Sequence, residues 1–420
     1  MSKKIAVNIQ SEIGKLNAVI LHTPGEEIEN MTPENAHSAL YSDILNKMVA
    51  QKEYNSFSQA LGKITQTFQL KDLLSDILEK ENTKKKIIEQ VCTLENTQSI
   101  YPILEQQNAK ELSKILIEGL DFDYTNAGNT FTHFLKKEKF LLKPLYNFFF
   151  TRDASMSVYD KVLLGKMANT VRDRETLIMD AIFKHHHLFE AQTVNANLMA
   201  ESTTTIEGGD ILIARDDILI IGTGTRTTSE GIDFIIQNHI NNKAKQHIII
   251  QELPSYPESF IHLDMVFTLL NNDECMVYEP LILKENEYKT IHLDIENGVI
   301  KKAEYENNIL SALKKLGMDL KPLYCGGRVD NRIQQREQWH SGSNFFSFAP
   351  GKIIGYGRNI YTIDELNNNG YEVVSAQEVA DGKKDVQQFK KVVVTIDGAE
   401  LSRGGGGARC MTMPINRASL

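Results

Sequence analysis

The chain has 420 residues, of which 41 % are hydrophobic, and this is enough to bury the core of one large or two ordinary globular domains. Its formal net charge is −9 with acidic and basic residues interspersed, which argues against a nucleic-acid partner. No apolar run approaches the roughly 18 residues that span a bilayer, so we expect no membrane association and a cytoplasmic protein. The four cysteines stand singly, which argues against a disulfide framework and a zinc ribbon.

The first predicted elements are a strand and a helix. The strand is short and buried, and it has the sequence AVILH, beginning at Ala18. The segment after it carries apolar residues at helical spacing through Leu40, Ile44 and Met48, which predicts a helix.

The next part of the chain has a different pattern. Between about Lys71 and Lys139 the apolar residues fall in helical pairs that are separated by lysine- and glutamate-rich faces. This pattern predicts a compact helical insert at 71–139, placed between two parts, 1–70 and 140–420, of one α/β unit.

Short strand and helix patterns alternate after the insert. We predict a hairpin at ILIARDDILII, a helix at GIDFIIQNHI, a strand at HIIIQEL and a helix at YENNILSALKKLG that ends at Gly317. Further strands are predicted at KIIGYG and KVVVTID. The alternation indicates the α/β class.

Four motifs carry residues that could do chemistry: NFFFTRD, IEGGD, FIHLD and the glycine-rich GGGGARCMTMP. Each alone has an ordinary structural explanation, such as a linker, a turn or a core residue. Together they supply the groups for nucleophilic attack on a cationic carbon, and the candidates are Cys410, His262, Glu207, Asp153 and Asp264.

The paired acidic residues suggest a guanidinium substrate. Two carboxylates can each hold the planar N–H edges of a guanidinium and orient its carbon toward a thiolate. We expect His262 and Asp264, two residues apart, to lie on the same face of one strand. Glycines without Cβ would let the last loop bring Cys410 close to the substrate and still move.

These motifs, in this order, resemble arginine deiminases of the guanidine-modifying superfamily. Further matching segments are SEIGKLNAVILHTPGEEIENMTP, VRDRET and REQW with FAPGKIIGYGRN. The resemblance implies a five-bladed, pseudo-symmetric α/β propeller in which the last strands lie beside the first and a small helical domain is inserted. It also implies hydrolysis of L-arginine to L-citrulline and ammonia, with no metal and no organic cofactor. We further expect a homo-oligomer.

The resemblance also assigns roles to the catalytic candidates. Cys410 matches the nucleophile that forms an amidino thioether, and His262 matches the acid and base. Glu207 matches the carboxylate that supports this histidine, and Asp153 and Asp264 match the two guanidinium clamps.

Four more residues are candidates for substrate binding. Asn147, Arg172 and Arg226 match groups that hold the substrate α-carboxylate or the main chain around it, and Phe150 is added from the same motif. For either arginine alone, a surface salt bridge is the ordinary alternative.

Several alternatives remain open. A methylarginine hydrolase, an agmatine deiminase and an amidinotransferase belong to the same superfamily, and a catalytically silent arginine-binding protein or a cysteine peptidase belong to other classes. Two features depart from the family pattern: the run Gly404 to Gly407 is not interrupted by an arginine, and the segment 377–396 is longer than expected.

Overall fold

The computed structural model describes residues 4–121, 139–238, 243–328 and 330–420. Within these ranges the chain is a mixed α/β protein. Its α-helices are α1 (Glu26–Glu29), α2 (Lys47–Ile64), α3 (Leu70–Leu78), α4 (Glu81–Leu94), α5 (Tyr101–Glu105), α6 (Ala109–Glu118), α7 (Thr151–Ala154), α8 (Asp173–His185), α9 (Ala196–Met199), α10 (Ser229–Gln237), α11 (Glu279–Ile282), α12 (Ile309–Lys315), α13 (Asn331–Trp339), α14 (Ile360–Asn368) and α15 (Ala376–Ala380).

The strands are short, and most are buried. They are β1 (Ile5–Ala6), β2 (Leu16–Leu21), β3 (Gln66–Gln69), β4 (Leu120–Asp121), β5 (Phe140–Leu142), β6 (Ser155–Val158), β7 (Lys161–Leu164), β8 (Phe189–Glu190), β9 (Gln192–Asn195), β10 (Ile211–Arg215), β11 (Ile218–Thr223), β12 (Lys245–Glu252), β13 (Phe267–Leu269), β14 (Glu274–Val277), β15 (Thr290–Glu296), β16 (Val299–Glu306), β17 (Lys321–Tyr324), β18 (Phe346–Ala349), β19 (Lys352–Tyr356), β20 (Glu372–Ser375), β21 (Val392–Ile396) and β22 (Met413–Arg417).

Five sheets repeat one arrangement, in which an antiparallel pair of strands is followed by a third strand parallel to the middle one. Four of these units are formed by consecutive parts of the chain: β6–β7–β9, β10–β11–β12, β13–β14–β17 and β18–β19–β21. The fifth unit joins β22 to β2 and β3. In the second unit, β15 and β16 extend the sheet to five strands.

The fifth unit connects segments from opposite ends of the sequence. Strand β22 runs antiparallel to β2, with Val19 opposite Pro414 and Ile20 opposite Met413. The expectation that the last strands lie beside the first is therefore confirmed. Apolar side chains of both strands are completely buried. Continuous hydrophobic runs of this kind are typical of strands whose sheet is covered on both faces.

Most of the predicted elements form where the sequence places them. The hairpin is β10–β11, the helix after it is α10, and the next strand is β12. The end of the predicted α10 segment, at 239–240, lies outside the described residues. Helix α12 ends before Gly317, whose φ is 88°, a left-handed conformation that favours glycine.

The first predicted helix begins later than the sequence pattern indicates. Residues 33–40 form turns, and α2 starts at Lys47, where the side chain of Asn46 accepts a hydrogen bond from the Val49 N–H. The apolar spacing was misleading because Met48 is exposed rather than packed in the core. The N-cap decides the start of this helix.

The predicted insert is helical in its described part. Helices α3 to α6 share one buried apolar cluster with the surrounding sheets, in which Leu74, Ile88 and Leu116 of the helices join Ile20 of β2 and Ile178 of α8. The end of the insert, 122–138, lies outside the described residues. Its boundaries as a domain stay a prediction.

The longer segment 377–396 belongs to the fourth unit. It contains most of α15, the 3₁₀ turn Val386–Gln388 and strand β21, and α15 packs against α2. Among the described residues, no helix has both the length and the apolar character needed to cross a membrane.

Candidate active site

Four of the catalytic candidates lie a few residues before the first strand of a unit. Asp153 comes before β6, Glu207 before β10, His262 before β13 and Cys410 before β22. Contacts between these side chains, described below, show that the loops meet at one place. Equivalent positions in repeated units thus supply different chemical groups to a common site.

A cavity of about 210 Å³ lies at this place. Its lining includes seven of the nine residues that the sequence indicates, namely Asn147, Phe150, Asp153, Arg172, Arg226, His262 and Cys410. The two others, Glu207 and Asp264, are fully buried and contact lining residues from behind.

His262 and Glu207 form a buried ion pair. His262 Nε2 lies 2.9 Å from Glu207 Oε2, and both side chains are almost completely enclosed. Burial favours the neutral ring, but the charge of Asp153 and the hydrogen bond with Glu207 outweigh it and raise the pKa of His262 to about 9. Burial likewise opposes ionisation of Glu207, but His262 and Arg226 lower the pKa of this carboxyl to about 2. The histidine is therefore positively charged at neutral pH.

His262 does not lie on a strand, so the expectation that it shares a strand face with Asp264 is wrong. The chain turns after His262 into a 3₁₀ helix, Leu263–Met265. The side chain of the buried Asp210 causes this turn, because its Oδ1 accepts the Leu263 N–H at 2.9 Å. As a result His262 lines the cavity while Asp264 lies behind it.

Asp153 presents one carboxylate oxygen to the cavity. Its Oδ2 accepts a hydrogen bond from Arg172 Nη1 at 2.7 Å. Its Oδ1 is buried without a hydrogen-bond partner among the described residues and lies 3.9 Å from His262 Nδ1. An unpaired buried carboxylate oxygen is costly, so this atom is suited to accept an N–H from a bound ligand.

The two arginines are held to different degrees. Arg172 directs its donors to Asp153, to both oxygens of Glu175 and to the Asn147 carbonyl. Arg226 makes one long contact, 3.5 Å from Nη1 to Glu207 Oε1. Arg226 therefore has more capacity than Arg172 to bind an anionic group.

The sulfur of Cys410 is surrounded by one amide and one carboxylate. Asn344 Nδ2 lies 3.2 Å from Sγ, and Asp264 Oδ2 lies 3.7 Å from it. Burial, together with the charges of Asp264 and Asp153, raises the pKa of the Cys410 thiol well above its ordinary value. Without a bound cation the sulfur therefore carries its proton at neutral pH.

Asp264 is held by a buried arginine that the sequence analysis did not single out. Arg409 Nη1 donates to Asp264 Oδ2 at 2.8 Å, and Arg409 Nε donates to Glu12 Oε2 at 3.0 Å. Burial opposes ionisation of Glu12, but Arg409 and Arg152 lower the pKa of this carboxyl to about 2. The group thus fixes the Asp264 carboxyl beside the sulfur.

Comparison with known proteins decides the family. The family model described as Arginine deiminase matches residues 37–417. The chain belongs to the arginine deiminase family.

The chain is similar to curated arginine deiminases over its whole length. It is 30 % identical to that of Oenococcus oeni, covering 100 % of this chain and 99 % of the relative. It is 32 % identical to that of Mycoplasma capricolum, with the same coverage.

Solved structures share the fold at low sequence identity. The amidinotransferase SxtG from Microseira wollei has a TM-score of 0.50 at 15 % identity, covering 99 % of this chain and 98 % of that protein. The N-terminal domain of ArgZ, an arginine dihydrolase from the ornithine-ammonia cycle in cyanobacteria, has a TM-score of 0.51 at 12 % identity, covering 95 % and 97 %.

This member of the arginine deiminase family contains one site residue that the sequence analysis missed, Asn344. Its Nδ2 contacts Cys410 Sγ, and its Oδ1 accepts the backbone N–H groups of Arg409 and Cys410 at 2.9 and 3.3 Å. Its position in the repeated unit could have indicated its role. Asn344 stands two residues before β18, just as Asp153 stands two residues before β6. Only the repeated units make this equivalence visible.

The glycine loop of this arginine deiminase family member leaves no room for a side chain at two of its positions. A Cβ on Gly406 would lie 2.5 Å from the Phe150 ring, and a Cβ on Gly407 would lie 2.7 Å from the Asn344 side chain. Gly404, Gly405 and Gly406 line the cavity directly. The run of glycines is thus explained by close approach at the site rather than by a linker.

Proposed function

We propose that this protein hydrolyses L-arginine to L-citrulline and ammonia through a covalent amidino thioether on Cys410. The observation that carries the proposal is that a thiol, an imidazolium and a carboxylate with one oxygen unpaired among the described residues line one cavity. The family membership and the curated relatives named arginine deiminase support the same reaction.

Binding of the substrate would itself activate the nucleophile. The thiol is protonated in the free protein because it is buried and two carboxylates lie near it, which together raise its pKa. A guanidinium bound to Asp153 in the cavity, next to Cys410, would offset the negative charge around the sulfur, lower the pKa of Cys410 and favour the thiolate. The N–H of Asn344 would then stabilise the charged sulfur.

The first half-reaction follows from the charge on His262. The thiolate attacks the guanidinium carbon, and a carbon–sulfur bond forms. His262 then gives its proton to one terminal nitrogen, the carbon–nitrogen bond breaks, and ammonia leaves. The product is an amidino thioether on Cys410, and His262 is now neutral.

The second half-reaction returns the proton to His262. The neutral ring removes a proton from water, and the resulting hydroxide attacks the thioether carbon. The carbon–sulfur bond breaks and the sulfur takes up the proton of the added hydroxyl, so that the ureido group of citrulline is released and the thiol of Cys410 is restored. Glu207 would hold the ring in place and stabilise its charged form throughout the cycle.

The remaining candidates would bind the rest of the substrate. Arg226, whose one contact among the described residues is long, is proposed to hold the α-carboxylate. Arg172 would mainly fix Asp153 through their 2.7 Å contact, while Asn147 and Phe150 line the cavity around the aliphatic part. A substrate without an α-carboxylate, such as agmatine, would leave Arg226 unpaired.

We also propose the finer architecture that the resemblance implies. The five repeated sheet units, with β22 beside β2, support a five-bladed propeller. The division into 1–70, 71–139 and 140–420, a homo-oligomeric state and a cytoplasmic location are proposed from the sequence. We propose no metal or organic cofactor for the reaction, because the proton and bond changes above need none.

The experiment measures citrulline and ammonia after incubation with L-arginine. Wild-type protein should release both in equal amounts, and acid quenching followed by mass spectrometry should find the adduct on the peptide that contains Cys410. Cys410→Ser should bind arginine without turnover, while Cys92→Ser, which changes a buried cysteine in α4, should retain activity.

Other outcomes would redirect the proposal. Turnover of agmatine or a methylated arginine in preference to L-arginine, or transfer of the amidino group to an added amine, would identify another superfamily reaction. Arginine binding without any product from the wild-type protein would contradict an enzymatic function.

A further inference from the structure

A second cluster of ionisable side chains lies on the sheet formed by β12, β15 and β16, which is separate from the cavity. His292 of β15 stands opposite Glu304 of β16 in the strand register, and Glu306 is next on the same face. One ligand atom from each of these three residues lies within 4.8 Å of the others. We propose that His292, Glu304 and Glu306 form a binding site for a divalent transition-metal ion such as Zn²⁺.

The distances around His292 favour an ion between the three groups. Its Nδ1 lies 3.7 Å from Glu304 Oε1 and 3.9 Å from Glu306 Oε1, which is too long for hydrogen bonds. Bonds of about 2.0–2.2 Å from Zn²⁺ to nitrogen and oxygen place tetrahedral ligands about 3.4 Å apart. Each carboxylate oxygen therefore lies within about half an ångström of the separation from Nδ1 that a shared ion requires.

The burial and orientation of His292 provide a second, independent observation. The residue is only 8 % exposed, and its Nδ1 points at two carboxylates without a hydrogen bond to either. Its other ring nitrogen, Nε2, lies 3.1 Å from His247 Nδ1. If Nε2 carries the hydrogen and donates it to His247, the lone pair of Nδ1 faces the carboxylates, an arrangement that a cation stabilises.

A neighbouring histidine contacts the ligating ring of His292, and two lysines balance part of the charge of the two glutamates. His247 would fix the tautomer and orientation of the ligating ring, as outer-shell partners of metal-bound histidines do. Lys302 Nζ contacts Glu304 Oε2 at 2.6 Å, so the Oε1 of that residue stays available. Lys315 Nζ contacts both oxygens of Glu306, at 2.9 and 2.7 Å, and would keep only the second when metal is bound.

The ligand set indicates which ion binds. One imidazole and two carboxylates with a fourth position open to solvent suit Zn²⁺ or a similar ion better than Ca²⁺, which requires more oxygens. The site would tie the exposed edge strand β16 to β15. Its role would be to stabilise this extension of the second unit rather than to take part in arginine turnover.

The test measures Zn²⁺ binding to the full chain after removal of metals with a chelator. The cluster of Asp153, Glu207 and His262 also has ligand spacing, so the measurements are made in a His262→Asn background to remove that competing site. Equilibrium dialysis against zinc chloride should give one Zn²⁺ per chain, and the melting temperature should rise with the zinc concentration.

Variants on the sheet separate the proposed site from adventitious binding. His292→Ala and Glu304→Gln should each abolish both the stoichiometric binding and the thermal shift, and His247→Ala should weaken binding by about 10- to 100-fold. Glu296→Gln is the matched control, because it changes an exposed residue of the same strand about 13 Å away.

Two results would overturn the proposal. One is the absence of stoichiometric Zn²⁺ in the His262→Asn background, which would mean that a proton on His292 balances the carboxylates. The other is binding that survives both His292→Ala and Glu304→Gln. Glu304 is partly exposed, so its variant remains informative even if His292→Ala fails to fold.

Discussion

Replacement of Asn344 tests whether an amide N–H stabilises the catalytic sulfur. The Nδ2 group lies 3.2 Å from Cys410 Sγ, in a site where both residues are buried. A hydrogen bond to a charged group contributes about 1.5–3 kcal/mol, and about 1.4 kcal/mol corresponds to a factor of ten. We therefore expect Asn344→Ala to lower kcat/KM for L-arginine by about 10- to 150-fold.

Two further variants separate the donor from the support that Asn344 gives to the loop. Asn344→Asp keeps the oxygen that accepts the Arg409 and Cys410 N–H groups, but it replaces the donor with a second negative charge. It should lower activity more than Asn344→Ala does. Asn359→Ala removes a buried amide that bonds to the His340 carbonyl away from the sulfur, and it should leave kcat/KM unchanged.

The assay combines steady-state citrulline production with the rate of alkylation of Cys410 by iodoacetamide as a function of pH. If the amide stabilises the thiolate, both Asn344 variants move the pKa of the thiol upward. Full activity of Asn344→Ala, or a loss of activity without any change in the alkylation profile, would refute the reasoning. In the second case Asn344 would act only by holding the loop.

Three other predictions follow from the site and its surroundings. Glu207→Gln should lower the pKa of His262 from about 9, because the ring loses its charged partner. The decrease of kcat on the alkaline side of its pH profile should therefore begin at a lower pH than in the wild type. The same raised pKa predicts that the stability provided by His262 is fully present below about pH 6.5 and is lost as the pH rises through 9. Urea unfolding at several pH values should show that the difference in unfolding free energy between wild type and His262→Asn decreases across this range. A constant difference would contradict the ion pair. Gly406→Ala should reduce kcat/KM because its Cβ would meet the Phe150 ring at 2.5 Å, whereas Gly62→Ala, in helix α2 with open space around it, should retain activity and raise the unfolding free energy by about 0.5–1 kcal/mol.

Local patterns in the sequence predicted the elements better than their exact limits. The hairpin β10–β11 formed as expected because its alternating apolar residues and central turn are local signals. The start of α2 was not predicted correctly, because the helix begins at the N-cap residue Asn46 and not where the apolar spacing begins. The turn after His262 depends on Asp210, a residue far away in the sequence, and no local pattern reveals it.

The site was predictable where its residues lie in recognisable motifs. Seven predicted residues line one cavity: five lie in motifs that precede the first strand of a unit, whereas Arg172 and Arg226 follow the second strand of theirs. The partners that tune them were not predictable, since Arg409 reaches Asp264 and Glu12 only in the folded chain. Asn344 was missed for a similar reason, because an asparagine in SGSNFF carries no chemical signal until its strand is placed beside the others.

The pairing of β22 with β2 also affects how the protein becomes active during folding. The other units assemble from neighbouring segments, whereas this one must join strands from opposite ends of the sequence. Contacts so distant carry a high entropic cost and form late. A folding intermediate with four completed units would already hold the acid and the carboxylates, but it would have no nucleophile. Catalysis would therefore begin only when β22 pairs with β2, and loss of that pairing would be enough to end it.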